Sequence, residues 1–317
     1  MLRAREPKLL NAERALRMID AASYDEAARY LTDCGYEDMS GMDADAVCAS
    51  LNEHREKIFS EIDRLSPDGD ITDVFRMKYD CHNAKVVLKA EAMGINADNL
   101  MSGCGRMAPK ELADLYREEK YSSMPGMLGE ALEKGKEVLA RTSNPQQADF
   151  AVDRAYFEEM RKAADESGSD FLKGYVRILI DTANLKSAVR TLRMGKNTEF
   201  LRDAVISGGN VSEDRILNAG DGESIMSLFA SSLLADAAAL GSEAVSGGRL
   251  TEFELACDNA VNAYLKKAKL VSFGNEPVLA YLASVENEIT AVRMILTGKL
   301  AGIKSEMLRE RLRDMYA

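Results

Sequence analysis

An all-helical fold is what this sequence predicts, and three observations carry that expectation. The 317 residues contain no Trp, only 6% aromatic residues and 16 Met, a mix poor in strand formers and rich in helix formers. A landmark segment recurs at intervals of roughly 100 residues, the signature of a repeat architecture. Each copy has polar residues at helical spacing between helix-breaking residues. With 46% hydrophobic and 29% charged residues the chain can bury a substantial core, so disorder and collagen-like order are excluded.

Charge and apolar runs narrow the function classes. A net charge of −11 argues against a nucleic-acid binder, which needs surplus Lys and Arg to displace counterions from phosphate. Partner surfaces are expected to be basic. The opening Met1 to Lys8 has no apolar leader, and no stretch approaches 18 uncharged apolar residues, so a cytoplasmic or membrane-peripheral chain is expected. Cys34, Cys48, Cys81, Cys104 and Cys257 contain no C-x-x-C pair and suit a reducing compartment. With His54 and His82 the only histidines, a zinc site or His-based triad has little to build on.

The first landmark holds Arg76, Asp80, Asn83, Lys85, Lys89, Met93 and Gly94; it recurs 101 residues on as Arg177, Asp181, Asn184, Lys186, Arg190, Met194 and Gly195. A weaker third copy follows, where Asn287, Arg293, Gly298 and Lys299 answer Asn184, Arg190, Gly195 and Lys196, while Asp181 and Lys186 become Ser284 and Ile289. These offsets divide the chain into helical units at 1–113, 114–215 and 216–317 of one continuous globular body. Breaks at Ser66 to Asp70, Ser167 to Asp170 and Phe273 to Pro277 open the three helices, and Gly94, Gly195 and Gly298 sit where left-handed C-caps are wanted.

Residues three and four apart stand on one helix face. Arg76, Asp80 and Asn83 therefore share a face, as do Arg177, Asp181 and Asn184, with an Asp181–Arg177 ion pair expected inside or at the edge of the core. A registry device between packed helices explains such a stripe better than an interface or gate, because every copy of a structural unit needs registry while a site usually needs one copy. Lys85 with Lys89, and Lys186 with Arg190, are like-charged pairs that repel unless a solvated edge or an acidic helix faces them.

Motifs for nucleotide or hydrolytic chemistry fail. Gly103-Cys104-Gly105-Arg106-Met107-Ala108 has dinucleotide-turn spacing, but it follows a long helix instead of a strand, and its counterpart Ser207-Gly208-Gly209-Asn210 loses the spacing. It reads as a loop. Walker, His-Glu-x-x-His and Gly-x-Ser-x-Gly patterns are absent. Glu158-Glu159 and the Glu286/Glu288 pair read as carboxylates on solvated helices. No catalytic, cofactor-binding or metal-ligating residue is expected.

The C-terminal part carries Phe253, Asp258, Tyr264-Leu265-Lys266-Lys267-Ala268, Phe273-Gly274-Asn275-Glu276-Pro277, Ala280-Tyr281-Leu282, Glu286-x-Glu288-Ile289, Val292-Arg293-x-Ile295-Leu296-x-Gly298-Lys299 and Glu310-Arg311-Leu312; earlier come Arg5-Glu6-x-Lys8-Leu9-Leu10, Gly35-Tyr36 and Asp153-Arg154-Ala155-Tyr156-Phe157. In these residues, over nearly its whole length, the chain resembles the C subunit of archaeal and bacterial A/V-type ATP synthases, equivalent to the d subunit of the vacuolar enzyme. It departs from that pattern in a short start with Pro7 and in Asn287 to Val292, which replaces a more basic stretch.

The resemblance implies an all-helical funnel of three similar units about a pseudo-threefold axis, seated at the cytoplasmic end of the membrane rotor ring. It implies a non-catalytic socket that receives the central shaft, made of the D and F subunits, and transmits torque during proton or sodium transport. No cofactor, nucleotide or homo-oligomer is implied; the chain would be a monomer within a hetero-oligomeric complex. Gly103, Gly105, Arg106, Gly208, Gly209 and Asn210 are the candidate partner-contact loops. The rival reading is a helical small-molecule binder or enzyme with Arg76, Asp80 and Asn83 as convergent polar groups.

Overall fold

The computed structural model describes residues 5–65, 70–272 and 274–316. Among these it contains helices and no strand. In chain order the α-helices are α1 (Ala12–Asp20), α2 (Tyr24–Arg29), α3 (Ala44–Leu65), α4 (Asp70–Met93), α5 (Pro109–Arg117), α6 (Leu128–Thr142), α7 (Pro145–Glu166), α8 (Asp170–Arg193), α9 (Thr198–Ala204), α10 (Glu213–Leu217), α11 (Gly222–Phe229), α12 (Ala235–Val245), α13 (Leu250–Lys266), α14 (Glu276–Leu300) and α15 (Ser305–Arg309).

The chain divides into two compact bodies. One comprises Met1–Asp68, Ser232–Leu240 and Gly248–Ala317; the other comprises Gly69–Ser231 and Gly241–Gly247. In the first, α14 is the central helix, buried over most of its length from Pro277 to Gly298 and packed by α1, α2, α3 and α13. In the second, α4, α6 and α7 pack on one another around a core that includes Leu88, Leu112, Leu132 and Val152, and α8 packs on α7, α9 and α11.

The three landmark helices are α4, α8 and α14, of 24, 24 and 25 residues. At the start of α8 the expected break is present: Ser169 caps by accepting from the Leu172 N–H at 3.2 Å, after Gly168 at φ 65°. The breaks at 66–69 and at Phe273 lie outside the described residues, while Pro277 stands in the first turn of α14.

The C-caps agree with expectation twice and differ once. Gly94 and Gly195 adopt left-handed conformations, φ 63° and 62°. Gly298, however, lies inside α14, where a Cβ would stand 2.6 Å from Leu308 Cδ2; the left-handed residue is Gly302, φ 68°. The hydrogen bonds show the same terminus in all three places: Ile95 N–H to Ala90 O, Lys196 N–H to Thr191 O and Ile303 N–H to Gly298 O, at 3.1, 3.0 and 2.8 Å. This is the six-to-one closure of a Schellman cap. Helix α14 therefore runs one turn further past its landmark asparagine, and Gly298 is small because Leu308 of α15 packs there.

Candidate functional site

The landmark polar residues hold the loops that follow their own helices. On α4, Asn83 makes two hydrogen bonds to one residue: its Nδ2 donates to Ser102 O at 2.8 Å and its Oδ1 accepts the Ser102 N–H at 2.7 Å. On α8, Asn184 does the same with Ile206, at 2.8 Å for both bonds. An amide is the side chain suited to this task, since it presents one donor and one acceptor side by side, as a peptide group requires. Both asparagines are fully buried.

One turn before each asparagine stands a buried carboxylate, Asp80 or Asp181, exposed by 1% and 2%. Asp80 Oδ1 accepts the Arg106 N–H at 2.9 Å, and its Oδ2 pairs with Arg106 Nε at 2.6 Å. Asp181 Oδ1 accepts the Val211 N–H at 3.2 Å, and its Oδ2 accepts from Asn210 Nδ2 at 2.8 Å. The expected Asp181–Arg177 pair is not formed: Arg177 is exposed, and the two Asp181 oxygens are taken by Asn210 and Val211. Arg76 reaches the first loop, donating to Cys104 O at 3.4 Å.

The glycines of the two loops are part of the same device. A Cβ at Gly105 would fall on Asp80 Oδ1, and a Cβ at Gly209 on Asp181 Oδ1, each closer than the 3.0 Å that real Cβ atoms keep. The second glycine of the dinucleotide-like motif thus permits close approach of backbone to a carboxylate of this chain, not to a phosphate. Of the six candidate contact-loop residues, Gly105, Arg106 and Gly209 are turned to this internal use. Asn210, although exposed, is tied to Asp181, and Gly103 and Gly208 are exposed.

In the first copy a second carboxylate joins. Arg106 Nη1 lies 2.5 Å from Glu159 Oε1 of α7, and Glu159 Oε2 also accepts the Met127 N–H at 3.1 Å. One guanidinium therefore bridges α4 and α7 through two carboxylates. Burial raises the Asp80 carboxyl above its ordinary value, against the lowering effect of Arg106. Burial also raises Asp181, against the hydrogen bonds from Asn210 and Val211. Both results follow from desolvation of a carboxylate.

The like-charged stripe of α4 meets an acidic neighbour. Lys85 pairs with Asp153 at 2.5 Å and Lys89 with Asp149 at 2.6 Å, both acids on α7.

The third copy is built differently. Asn287 Nδ2 donates to Asp314 O at 3.1 Å, but Asn262 of α13 donates to the same oxygen at 3.0 Å and Asn259 Oδ1 accepts the Asp314 N–H at 2.9 Å. Three asparagines share what one does in α4 or α8. Ser284, at the aspartate's position, turns its hydroxyl to Ala280 O at 2.6 Å.

Glu159, Glu286 and Glu288 correct the reading of solvated carboxylates. Glu286 is paired with Arg55 at 2.7 Å. Glu288, 2% exposed, accepts the Leu10 N–H and the Tyr36 hydroxyl, each at 2.6 Å, and burial pushes its carboxyl up to about 7. Little in an isolated helical sequence separates Glu159 from a surface glutamate; for Glu288 the apolar run of α14 around it is the one available signal. Among the described residues no group of three or more His, Cys, Asp or Glu side chains is placed to hold a metal ion, and no helix is long and apolar enough to cross a membrane.

Comparison with known proteins adds the family. Residues 1–311 match the model of the ATP synthase (C/AC39) subunit. The chain is 26% identical over 321 residues to the C subunit of the V-type sodium ATPase of Enterococcus hirae, covering 100% of this chain and 97% of that protein. It is 27% identical over 338 residues to the C subunit of the A-type ATP synthase of Methanocaldococcus jannaschii, covering 98% and 84%. To the corresponding A-type ATP synthase C subunit of Haloquadratum walsbyi it is 22% identical, covering 98% and 95%.

Proposed function

The chain belongs to the ATP synthase (C/AC39) subunit family, and from that premise we propose that it is the non-catalytic socket of a rotary A/V-type ATPase, joining the central shaft of D and F subunits to the membrane rotor ring. The observation that carries this reading is the end-to-end match to the C subunits of both a V-type sodium ATPase and A-type ATP synthases.

The internal geometry supports the same role. A part that transmits torque must hold its loops against sideways load, and the buried Asp and Asn of α4 and α8 fasten the following loops to rigid helices at two points each. Polar groups used in this way are not available to a small-molecule ligand, which weakens the ligand-cavity alternative. We keep the division into three similar units, 1–113, 114–215 and 216–317, as part of the proposal, with the exposed positions Gly103, Gly208 and Asn210 as places where a partner touches the loops. The chain would sit as a monomer, peripheral to the cytoplasmic face of the membrane.

The test is reconstitution. Purified chain is mixed with the D–F pair and with detergent-solubilised rotor ring, separately and together, and bound fractions are measured at low and high salt. The expected result is a bridged complex that forms only when this chain is present, weakened by salt because exposed charge pairs are screened beyond about 8 Å at physiological ionic strength. The purified chain alone should hydrolyse no ATP. Failure to bind the D–F pair at low salt, or ATP turnover by the chain alone, overturns the reading.

A further inference from the structure

Helices α6 and α7 are antiparallel neighbours joined only by Ser143 and Asn144. One side of this hairpin covers α4: Leu132, Gly135 and Val152 are buried there, and a Cβ at Gly135 would strike Leu88 of α4. The other side is open and forms a groove of about 740 Å³.

Its lining has a helical period. On α6 the lining residues include Glu130, Lys134, Glu137 and Arg141; on α7 they include Gln147, Ala151, Arg154 and Glu158. Each set spaces residues by three or four over three turns, so the cleft runs about 16 Å along the two helices. The floor is apolar and mostly low in profile, with Ala131, Val138, Ala151 and Ala155, and Phe150 at its side. Small residues between two helices allow a third to approach closely, and a cleft between two helices is a seat that ridges-into-grooves packing fills with a helix.

The rim specifies the charge of that helix. Five carboxylates line the groove, Glu130, Glu133, Glu137, Glu158 and Asp203, against three cations. Two of the cations are already engaged: Lys134 pairs with Glu137 at 2.9 Å, and Arg154 donates to Asp203 O at 3.0 Å. Glu130, Glu133 and Glu158 are exposed and, among the described residues, make no ion pair. Apolar floor and acidic rim together complement a helix with an apolar stripe flanked by Lys or Arg.

We propose that the α6–α7 groove is a docking site for a cationic amphipathic helix of another protein. The inference rests on the reading that this chain works inside a multisubunit assembly only insofar as such an assembly supplies the helix.

The test uses the full chain and a fluorescent synthetic helical peptide of about 21 residues, with leucine and alanine on one face and lysine on its flanks, in low salt. Anisotropy is compared with that of a peptide in which glutamate replaces every lysine. The expected result is binding of the cationic peptide alone, weakened at least about tenfold by the triple variant E130Q/E133Q/E158Q. An equal change of charge elsewhere, E166Q/E213Q/E243Q, should leave binding unchanged. Ala151→Trp, which fills the floor without changing charge, should also weaken it, with melting curves reporting that each variant is folded. No binding of the cationic peptide, equal loss in both triple variants, or indifference to Ala151→Trp overturns the proposal. A chain that fails this test yet still bridges shaft and ring loses only the groove; one that passes it but binds neither loses only the socket.

Discussion

The loops after α4 and α8 are held by the same two grips, yet the charge of the aspartate is met in opposite ways. At Asp80 a guanidinium answers it, and that guanidinium in turn serves Glu159 of α7. At Asp181 a neutral amide and a backbone N–H suffice. The shared part is therefore the geometric part: asparagine against a peptide group, and glycine against a carboxylate. What varies is compensation of charge, which depends on whether a second acid lies across from the loop. Repeated units keep what sets the register of loop on helix and are free to change what balances it.

The sharpest way to break this comparison is to remove the cation. Arg106→Met should leave buried Asp80 and half-buried Glu159 without a cation, each keeping only a backbone N–H, and cost about 3–5 kcal/mol. Asn210→Ala, which removes one hydrogen bond to a charged acceptor, should cost about 1.5–3 kcal/mol. Urea unfolding of both variants reads the difference. Equal losses would mean that the ion pair is no more than another hydrogen bond.

A third buried acid extends the comparison to the other body of the chain. Glu288 has two neutral donors, and its carboxyl is pushed up to about 7 from an ordinary 4.5. Between those values the folded state binds the proton more tightly than the unfolded state. The favourable contribution is thus complete below about pH 4.5 and is lost as pH rises through about 7, at up to about 1.4 kcal/mol per unit. Glu288→Gln should remove this slope, since an amide can still accept from Leu10 and donate to the Tyr36 oxygen. Unfolding midpoints of wild type and variant at about pH 5 and about pH 8 measure it. An unchanged slope in the variant would assign the pH dependence to other groups.

The glycines test whether the two loops are equivalent. Gly105→Ala and Gly209→Ala each place a Cβ against an aspartate oxygen, and each should cost about 1–3 kcal/mol by forcing the loop off its helix. Similar losses in thermal melts would support equivalence; a loss confined to Gly105 would tie the effect to the Arg106 ion pair instead.

Much of this fold was legible in the sequence, for definable reasons. Helical spacing and the repeat at 101 residues located α4 and α8, and the polar face Asp80–Asn83 was visible as a stripe. The partners of that stripe were not. Asn83 grips a residue 19 positions on and Asn184 one 22 positions on, so no fixed spacing advertises the contact, and loop sequence does not repeat where backbone atoms make the bonds. Arg177 looked like the partner of Asp181 because helical neighbours are what a one-dimensional pattern can show. The buried Glu286 and Glu288 and the half-buried Glu159 escaped because a carboxylate on a helix carries no mark of what packs across from it. Gly298 was misread as a cap because the same residue type serves close packing and left-handed turns.

The smallest effect is expected in the third copy, and it distinguishes a shared grip from a single one. Asn184→Ala should strand both the N–H and the carbonyl of buried Ile206, at about 1–3 kcal/mol for each group left unsatisfied. Asn287→Ala removes one of two donors to Asp314 O, while Asn262 keeps that oxygen satisfied and Asn259 keeps the N–H. Its cost should fall to about 1 kcal/mol, the net worth of one hydrogen bond. The double variant Asn262→Ala with Asn287→Ala should then exceed the sum of the two single losses, because only together do they leave the carbonyl bare. Additive losses in chemical denaturation would mean that Asp314 finds another donor, and that the C-terminal segment is not fastened as the loops after α4 and α8 are.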